Sequence, residues 1–350
     1  LIVPRDASKL PKNLTARAWV LADLESGEIL AARDPHGRYQ PASILKVLTA
    51  ITVLPNLPGK KIVTVSKAAA SAEGSAVGLL AGARYTVDDL FAALMLVSGN
   101  DAAAALAEAN GGVAKTVAQM NATAGALGAY DTVVQTPSGL DGWQQLTSAY
   151  DLALVLRKAV DDPRFVRYDR LASATYPAKS SKYGKVGSYQ FDNQSLNFLR
   201  SVPGALVAKT GYTDAALHTY LCAAERNGKR LGIVFLRNQR APLDQDQQAA
   251  ALLKWGFALK AGTAPIGTLA GPIRPGSGAS GSGAPPSNPV QNPVMNGVPS
   301  NALLAAPDRP VTGGQPTSVQ AAGVIAGALA LGVGGVAALR RRRRRSPRQY

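Results

Sequence analysis

The chain has 350 residues, 46% of them hydrophobic, with 38 Lys and Arg against 22 Asp and Glu and a formal charge of +16. That apolar fraction over that length supports a sizeable core and excludes wholesale disorder. A single cysteine, Cys222, excludes a disulfide framework or a cysteine metal cluster, and two histidines, His36 and His218, are too few for a His-rich zinc site.

From the N-terminus, residues 18–21 and 28–32 flank the turn-prone Glu25, Ser26 and Gly27 and predict a hairpin. Residues 43–54 form an apolar helical run. Thr86 followed by Asp89 is a capping-box-like start for a helix over 87–97. Further helices are expected over 101–109, 113–127 (stopped by Gly128), 148–160 and 244–260. Residues 204–213 are strand-like. So are 217–225 and 230–236, which flank Asn227–Gly228, the strongest short hairpin signal. Strands at both ends with a helical middle predict an α/β (α+β) fold. Its terminal strands would share one mostly antiparallel sheet flanked by helices, with an all-helical subdomain besides.

The remaining 80 residues differ in character. Residues 271–318 hold ten Pro, eight Gly and six Ser with only three charges. Such a segment cannot bury enough apolar surface to offset its ordering entropy, and reads as a linker with an end-to-end distance of roughly 35–42 Å. Residues 319–339 carry no charge and suit a single transmembrane helix. Gly323 and Gly327 add a weak pairing motif. Arginines 340–345 and Arg348 then stand in a tail without an acid. The positive-inside rule places that 340–350 tail in the cytoplasm and residues 1–270 outside, as a single-pass protein of the cell membrane. A start at Leu1 agrees with a removed signal peptide. Residues 1–270 keep 29 basic and 21 acidic groups, so much of the charge belongs to the tail. No nucleic-acid module accompanies it.

Chemistry concentrates at three short motifs. Lys46 sits among Ile44, Leu45, Val47, Leu48 and Ile51, so it either snorkels to the surface or is desolvated. Desolvation lowers an amine pKa and can leave it able to accept a proton. Ser43, three residues earlier, shares its helix face and is a candidate nucleophile with its base one turn away. Ser98–Gly99–Asn100 lies between two apolar helices and presents a hydroxyl and a carboxamide. Lys209–Thr210–Gly211 lies in a strand; a cation beside a hydroxyl suits a carboxylate, and glycine admits a close backbone approach. Taken singly, each motif could be a helix cap, a turn or an exposed strand end.

In that order, S-x-x-K, S-x-N and K-T-G resemble the signature of penicillin-binding proteins and serine β-lactamases. The stretches PASILK (41–46), LVSGNDAA (96–103), PSGLDG (137–142), AKTGYTD (208–214) and WGF (255–257) are closer to the D-alanyl-D-alanine carboxypeptidases, the low-molecular-mass penicillin-binding proteins. The resemblance runs from about Ala16 to Phe257. It implies cell-wall chemistry without a cofactor or metal. Ser43 would attack the carbonyl between the terminal D-alanines of a peptidoglycan stem peptide, with Lys46 as base. Ser98 would relay a proton to the leaving D-alanine. Asn100 would hold a substrate amide. Lys209, Thr210 and Gly211 would receive the carboxylate end, and the backbone N–H groups of Ser43 and Tyr212 would form the oxyanion hole. β-Lactam antibiotics would acylate Ser43 by the same route.

The chain departs from the class A β-lactamases, which use a glutamate between the last two motifs. None lies between Glu108 and Glu225. A D,D-endopeptidase acting on cross-links would share every motif, and an inactive wall-binding domain would keep them only to bind. Arg237 and Arg240 are both candidates for a basic residue assisting the carboxylate. His218 and Cys222 read as strand residues rather than catalytic groups.

Overall fold

The computed structural model describes residues 1–179 and 186–270. The N-terminal hairpin forms as expected: β1 (Ala18–Asp23) pairs antiparallel with β2 (Glu28–Arg33), and Gly27 turns the chain at φ 83°. A 3-10 turn, Ala42–Leu45, leads into α1 (Lys46–Val53). The short strands β3 (Ile62–Thr64) and β4 (Arg84–Thr86) pair with each other, with α2 (Lys67–Ala70) between them in sequence.

A helical stretch follows: α3 (Val87–Leu96), α4 (Asn100–Ala109), α5 (Val113–Leu127), α6 (Ala149–Val160) and α7 (Pro163–Asp169). The predicted capping box and stop both form: Thr86 and Asp89 bond reciprocally, and Gly128 ends α5 in the left-handed region at φ 82°. Ser148 precedes α6 as its cap, accepting from the Asp151 N–H, rather than opening the helix as expected. A second hairpin, β5 (Ser173–Lys179) and β6 (Val186–Asp192), has no counterpart in the sequence reading. α8 (Leu196–Ser201) precedes β7 (Ala205–Thr213), β8 (Leu217–Arg226) and β9 (Lys229–Asn238). Asn227 and Gly228 both take positive φ, as a two-residue hairpin turn requires. α9 (Gln245–Phe257) ends three residues before the expected helix, and β10 (Gly267–Thr268) closes the series.

The strands at the two ends of the described chain share one six-stranded sheet, in the order β10-β2-β1-β9-β8-β7, antiparallel at every pairing. Alternation decides what each face buries. Val20, Ala22, Val207, Leu221, Val234 and Leu236 join the core made with α1 and α3–α6, while Trp19, Leu21, Tyr220, Ile233 and Phe235 face α8 and α9. Each fully buried large side chain contributes about 1.5–3 kcal/mol relative to exposure, so the sheet is clamped from both sides. β7 forms one edge of the sheet, the place where an extended peptide can lie alongside a strand.

Among the described residues no helix is long and apolar enough to cross a membrane. The linker and transmembrane segment expected over 271–339, and the tail after them, lie outside the described residues.

Candidate active site

Ser43 lies in the 3-10 turn rather than inside α1, and Lys46 is the first residue of that helix. The turn is strained, and it and the helix after it are each tied to a neighbouring element. Ala42 adopts φ 49°, a left-handed conformation that is rare for a residue with a Cβ. Thr219 of β8 donates its hydroxyl to the Pro41 carbonyl at 2.8 Å. Thr49 donates to the Pro137 carbonyl at 2.7 Å, which binds α1 to the loop carrying Ser138 and Gly139.

Lys46 is fully buried. Its Nζ donates to Asn100 Oδ1 and to the Ser138 carbonyl, each at 2.6 Å, and lies 3.0 Å from Ser43 Oγ. Burial pushes its pKa well below the usual lysine value. Repulsion from Lys209 adds to this, while the Asp101 carboxylate opposes it. Asp101 is itself buried, accepting from the N–H groups of Gly78 and Leu79 at 3.0 Å, and so ties the 73–79 segment across the start of α4.

Ser98 and Asn100 sit at the tight junction of α3 and α4. Ser98 takes φ 63°, and its buried hydroxyl has no hydrogen-bond partner among the described residues. A buried hydroxyl left open in this way is a group waiting for a ligand or a water. The Asn100 side chain is engaged inside the protein at both ends: Oδ1 accepts from Lys46, and Nδ2 donates to the Glu73 carbonyl. In this structure it positions the lysine, whereas the resemblance implies a substrate amide as its partner.

On the opposite wall is β7. Gly211 comes so near Ser43 that a Cβ there would lie 2.8 Å from the Ser43 nitrogen. Lys209 is buried and, among the described residues, donates to the neighbouring Thr210 carbonyl alone, at 3.0 Å. Burial lowers its pKa to about 8, against the opposing pull of Asp169. Asp169, at the end of α7, accepts from the Ala208 N–H at 2.8 Å through one oxygen and has no partner for the other among the described residues. Burial raises its pKa to about 7. Thr210 donates to Gln194 at 3.3 Å, and Thr213 donates to Asp141 at 2.6 Å, closing β7 onto the 137–142 loop. The Tyr212 side chain is exposed, with its ring tilted at 41° against the His218 ring, centroids 4.7 Å apart, and its hydroxyl donating to Asp214. Burial, with Arg240 nearby, lowers the His218 pKa. Cys222, in β8, is buried and free on the sheet face that packs against α8 and α9.

The structure therefore brings Ser43, Lys46 and Asn100 into one hydrogen-bonded cluster, with Gly211 against the Ser43 main chain. The Ser138 carbonyl and Asp101 lie within PSGLDG and LVSGNDAA but no spacing signals their part in the site, and Asp169 and Thr219 lie outside every motif. Among the described residues no three His, Cys, Asp or Glu side chains converge to hold a metal ion.

A profile of the D-alanyl-D-alanine carboxypeptidases matches residues 5–240. The chain belongs to that family of serine-type peptidases. It is 42% identical over 259 residues to the D-alanyl-D-alanine carboxypeptidase DacB2 of Mycobacterium tuberculosis, covering 73% of this chain and 86% of the relative. The DacD carboxypeptidase of Salmonella typhimurium is 31% identical, with 70% of this chain and 64% of that one aligned, so the chain spans just under two thirds of that relative. Among solved structures, a D-alanyl-D-alanine carboxypeptidase from Mycobacterium tuberculosis superposes with a TM-score of 0.71 at 39% identity, over 77% of this chain and all of that one. A mutant of a Streptomyces DD-transpeptidase gives 0.65 at 27% identity, over 71% of this chain and all of that one.

Proposed function

We propose that this family member removes the terminal D-alanine from peptidoglycan stem pentapeptides through a Ser43 acyl-enzyme, with Lys46 as the base. The observation that carries the reading is the surroundings of Lys46 Nζ. Two of its neighbours, Asn100 Oδ1 and the Ser138 carbonyl, can only accept, and each takes one N–H. A neutral amine with both hydrogens so committed turns its lone pair to the Ser43 hydroxyl. Burial favours that neutral form.

Ser43 Oγ then attacks the carbonyl between the two D-alanines as its proton passes to Lys46. The oxyanion is received by the Ser43 and Tyr212 main-chain N–H groups, which the approach of Gly211 allows to converge. Collapse breaks the C–N bond. The leaving amine takes a proton relayed through Ser98, whose hydroxyl is otherwise unpartnered. Water hydrolyses the ester and restores Ser43. Lys209 and Thr210 hold the terminal carboxylate, and the peptide runs along the open edge of β7.

The catalytic unit acts outside the cytoplasm, held by residues 319–339 with the arginines inside, a reading supported by the charge pattern. A β-lactam acylates Ser43 in the same way as substrate and leaves slowly. The test combines three readouts. Benzylpenicillin adds one equivalent of its mass, mapped to Ser43. The purified enzyme releases D-alanine from a pentapeptide faster than it opens a cross-linked dimer. A cell-impermeant fluorescent penicillin labels intact cells. No adduct at Ser43 would remove the acyl-enzyme, faster dimer cleavage would make it an endopeptidase, and labelling only after lysis would remove the topology.

Since Lys209 acts as a cation, kcat/KM falls as pH rises through about 8. The Asp169 carboxylate favours that cation, so Asp169→Asn is expected to move the alkaline limb to lower pH. A limb that stays in place in the pH profile excludes this coupling.

A further inference from the structure

A cavity of about 740 Å³ opens at the end of the sheet, away from Lys46 and Lys209, with Arg17, Arg33, Asp34, Leu217 and Arg237 in its walls. Three arginines and a single carboxylate thus line it. Each arginine spends one N–H on a neutral oxygen: Arg17 Nε on Tyr39 Oη at 3.3 Å, Arg33 Nη1 on the Ala16 carbonyl at 3.4 Å, and Arg237 Nη1 on the Ala215 carbonyl at 2.9 Å. None of the three has an ion-pair partner among the described residues. Asp34 is occupied by the Tyr39 hydroxyl, which donates to it at 2.7 Å. A guanidinium has five N–H donors, so most of the donors here are left for a ligand.

A second observation is independent of charge. Seven non-glycine residues among those described have positive φ. Asn13, Asp34 and Asn227 are of the type that tolerates it. Of the other four, Ala42 and Ser98 belong to the catalytic cluster, and Leu217 (φ 57°) and Arg237 (φ 51°) line this cavity. Strained backbone of this kind gathers at binding sites.

The cavity is also within a substrate's reach of the nucleophile. Leu217 pairs with Thr213, two residues beyond Gly211, and Gly211 abuts Ser43. Strand geometry then places Leu217 about 12 Å or less from Gly211. Tyr39, which anchors Arg17, is four residues before Ser43, a span of at most about 14 Å.

We infer that this cavity is an anion-binding subsite for a second oxyanion, a carboxylate or phosphate, carried by the same wall polymer whose D-alanyl end occupies the catalytic cluster. The shared chemistry is a planar or tetrahedral oxyanion received by arginine forks. Its place on the polymer rests on the proposed peptidase reading; the anion site itself does not.

The test uses the whole chain and the variants R17Q, R33Q and R17Q/R33Q, so that a failure of the double variant to fold leaves the singles. Inorganic phosphate is expected to raise the wild-type Tm above that in chloride at matched ionic strength, and not to raise it in the variants. Equal shifts in all four proteins overturn the proposal. Two peptides ending in D-Ala-D-Ala then distinguish the sources, one N-acetylated and one N-succinylated. A carboxylate source gives the succinylated peptide at least a fivefold higher kcat/KM in the wild type, a preference absent from the variants while turnover of the acetylated peptide is unchanged. An arginine-dependent phosphate shift without that preference assigns the subsite to phosphate. If neither peptide is cleaved, the peptidase reading fails while the phosphate shift still decides the cavity.

Discussion

Replacement of Lys46 by methionine is expected to lower kcat/KM on a D-Ala-D-Ala peptide, and the rate of acylation by benzylpenicillin, by about 10³-fold, within the range for loss of a general base. Methionine keeps the length and apolar stem of the side chain, so the space inside the catalytic cluster stays filled. What disappears is the one group 3.0 Å from Ser43 Oγ able to take its proton. Two acceptors, Asn100 Oδ1 and the Ser138 carbonyl, lose their donor at the same time. Orphaned buried acceptors cost about 1–3 kcal/mol each, partly offset by relief of a buried amine, so the variant folds with a lowered Tm. The pH profile separates catalysis from stability. Burial holds the Lys46 pKa below the usual value, and only its neutral form accepts a proton. Activity in the wild type therefore rises with pH through that depressed value, and this acid limb vanishes in Lys46→Met. A variant that keeps a tenth of the activity and the same acid limb would place the base elsewhere.

The pair at the centre of that prediction was legible in the sequence because its spacing is local. Ser43 and Lys46 stand one turn apart in a run whose apolar neighbours announce burial, and Thr86, Ser148 and Asp244 announce their helices within three residues. The environment of the pair was not legible. Ser138 acts through its carbonyl, which every residue type has, so no side chain marks it. Asp169 stands behind Lys209 only because α7 meets β7, and Thr219 reaches Pro41 across 178 residues. Asn100 was legible as a member of the site, yet which atoms it faces depends on the position of the 73–79 segment. The hairpin of β5 and β6 escaped because Pro177 interrupts a strand pattern that only pairing restores. Residue types thus reveal which chemistry is present, and long-range contacts decide how each group is tuned.

One such contact can be tested without touching a reactive group. Gly139→Ala is expected to reduce kcat/KM by about 100-fold or more, the scale of a 1 Å misplacement, and to lower stability by about 2–4 kcal/mol. Gly139 has φ 85°, and an added Cβ would collide with the Ala42 carbonyl. Neither side can retreat freely. Ala42 is fixed between the strained turn and the Thr219–Pro41 bond, and its displacement carries Ser43 away from Gly211. Retreat of the 137–139 loop instead withdraws the Ser138 carbonyl from Lys46, releasing the N–H that keeps the lone pair turned to Ser43. The control is Gly228→Ala, at φ 74° in the β8–β9 turn, where an added Cβ meets nothing within 4 Å. That change carries only the left-handed penalty of about 1–2 kcal/mol and leaves kcat/KM unaltered. Denaturant midpoints and kcat/KM measured on both variants separate the collision from the backbone penalty. Equal destabilisation, with full activity in Gly139→Ala, would mean that the loop yields without moving either Ser43 or Lys46, and that the contact between Gly139 and Ala42 does not position the nucleophile.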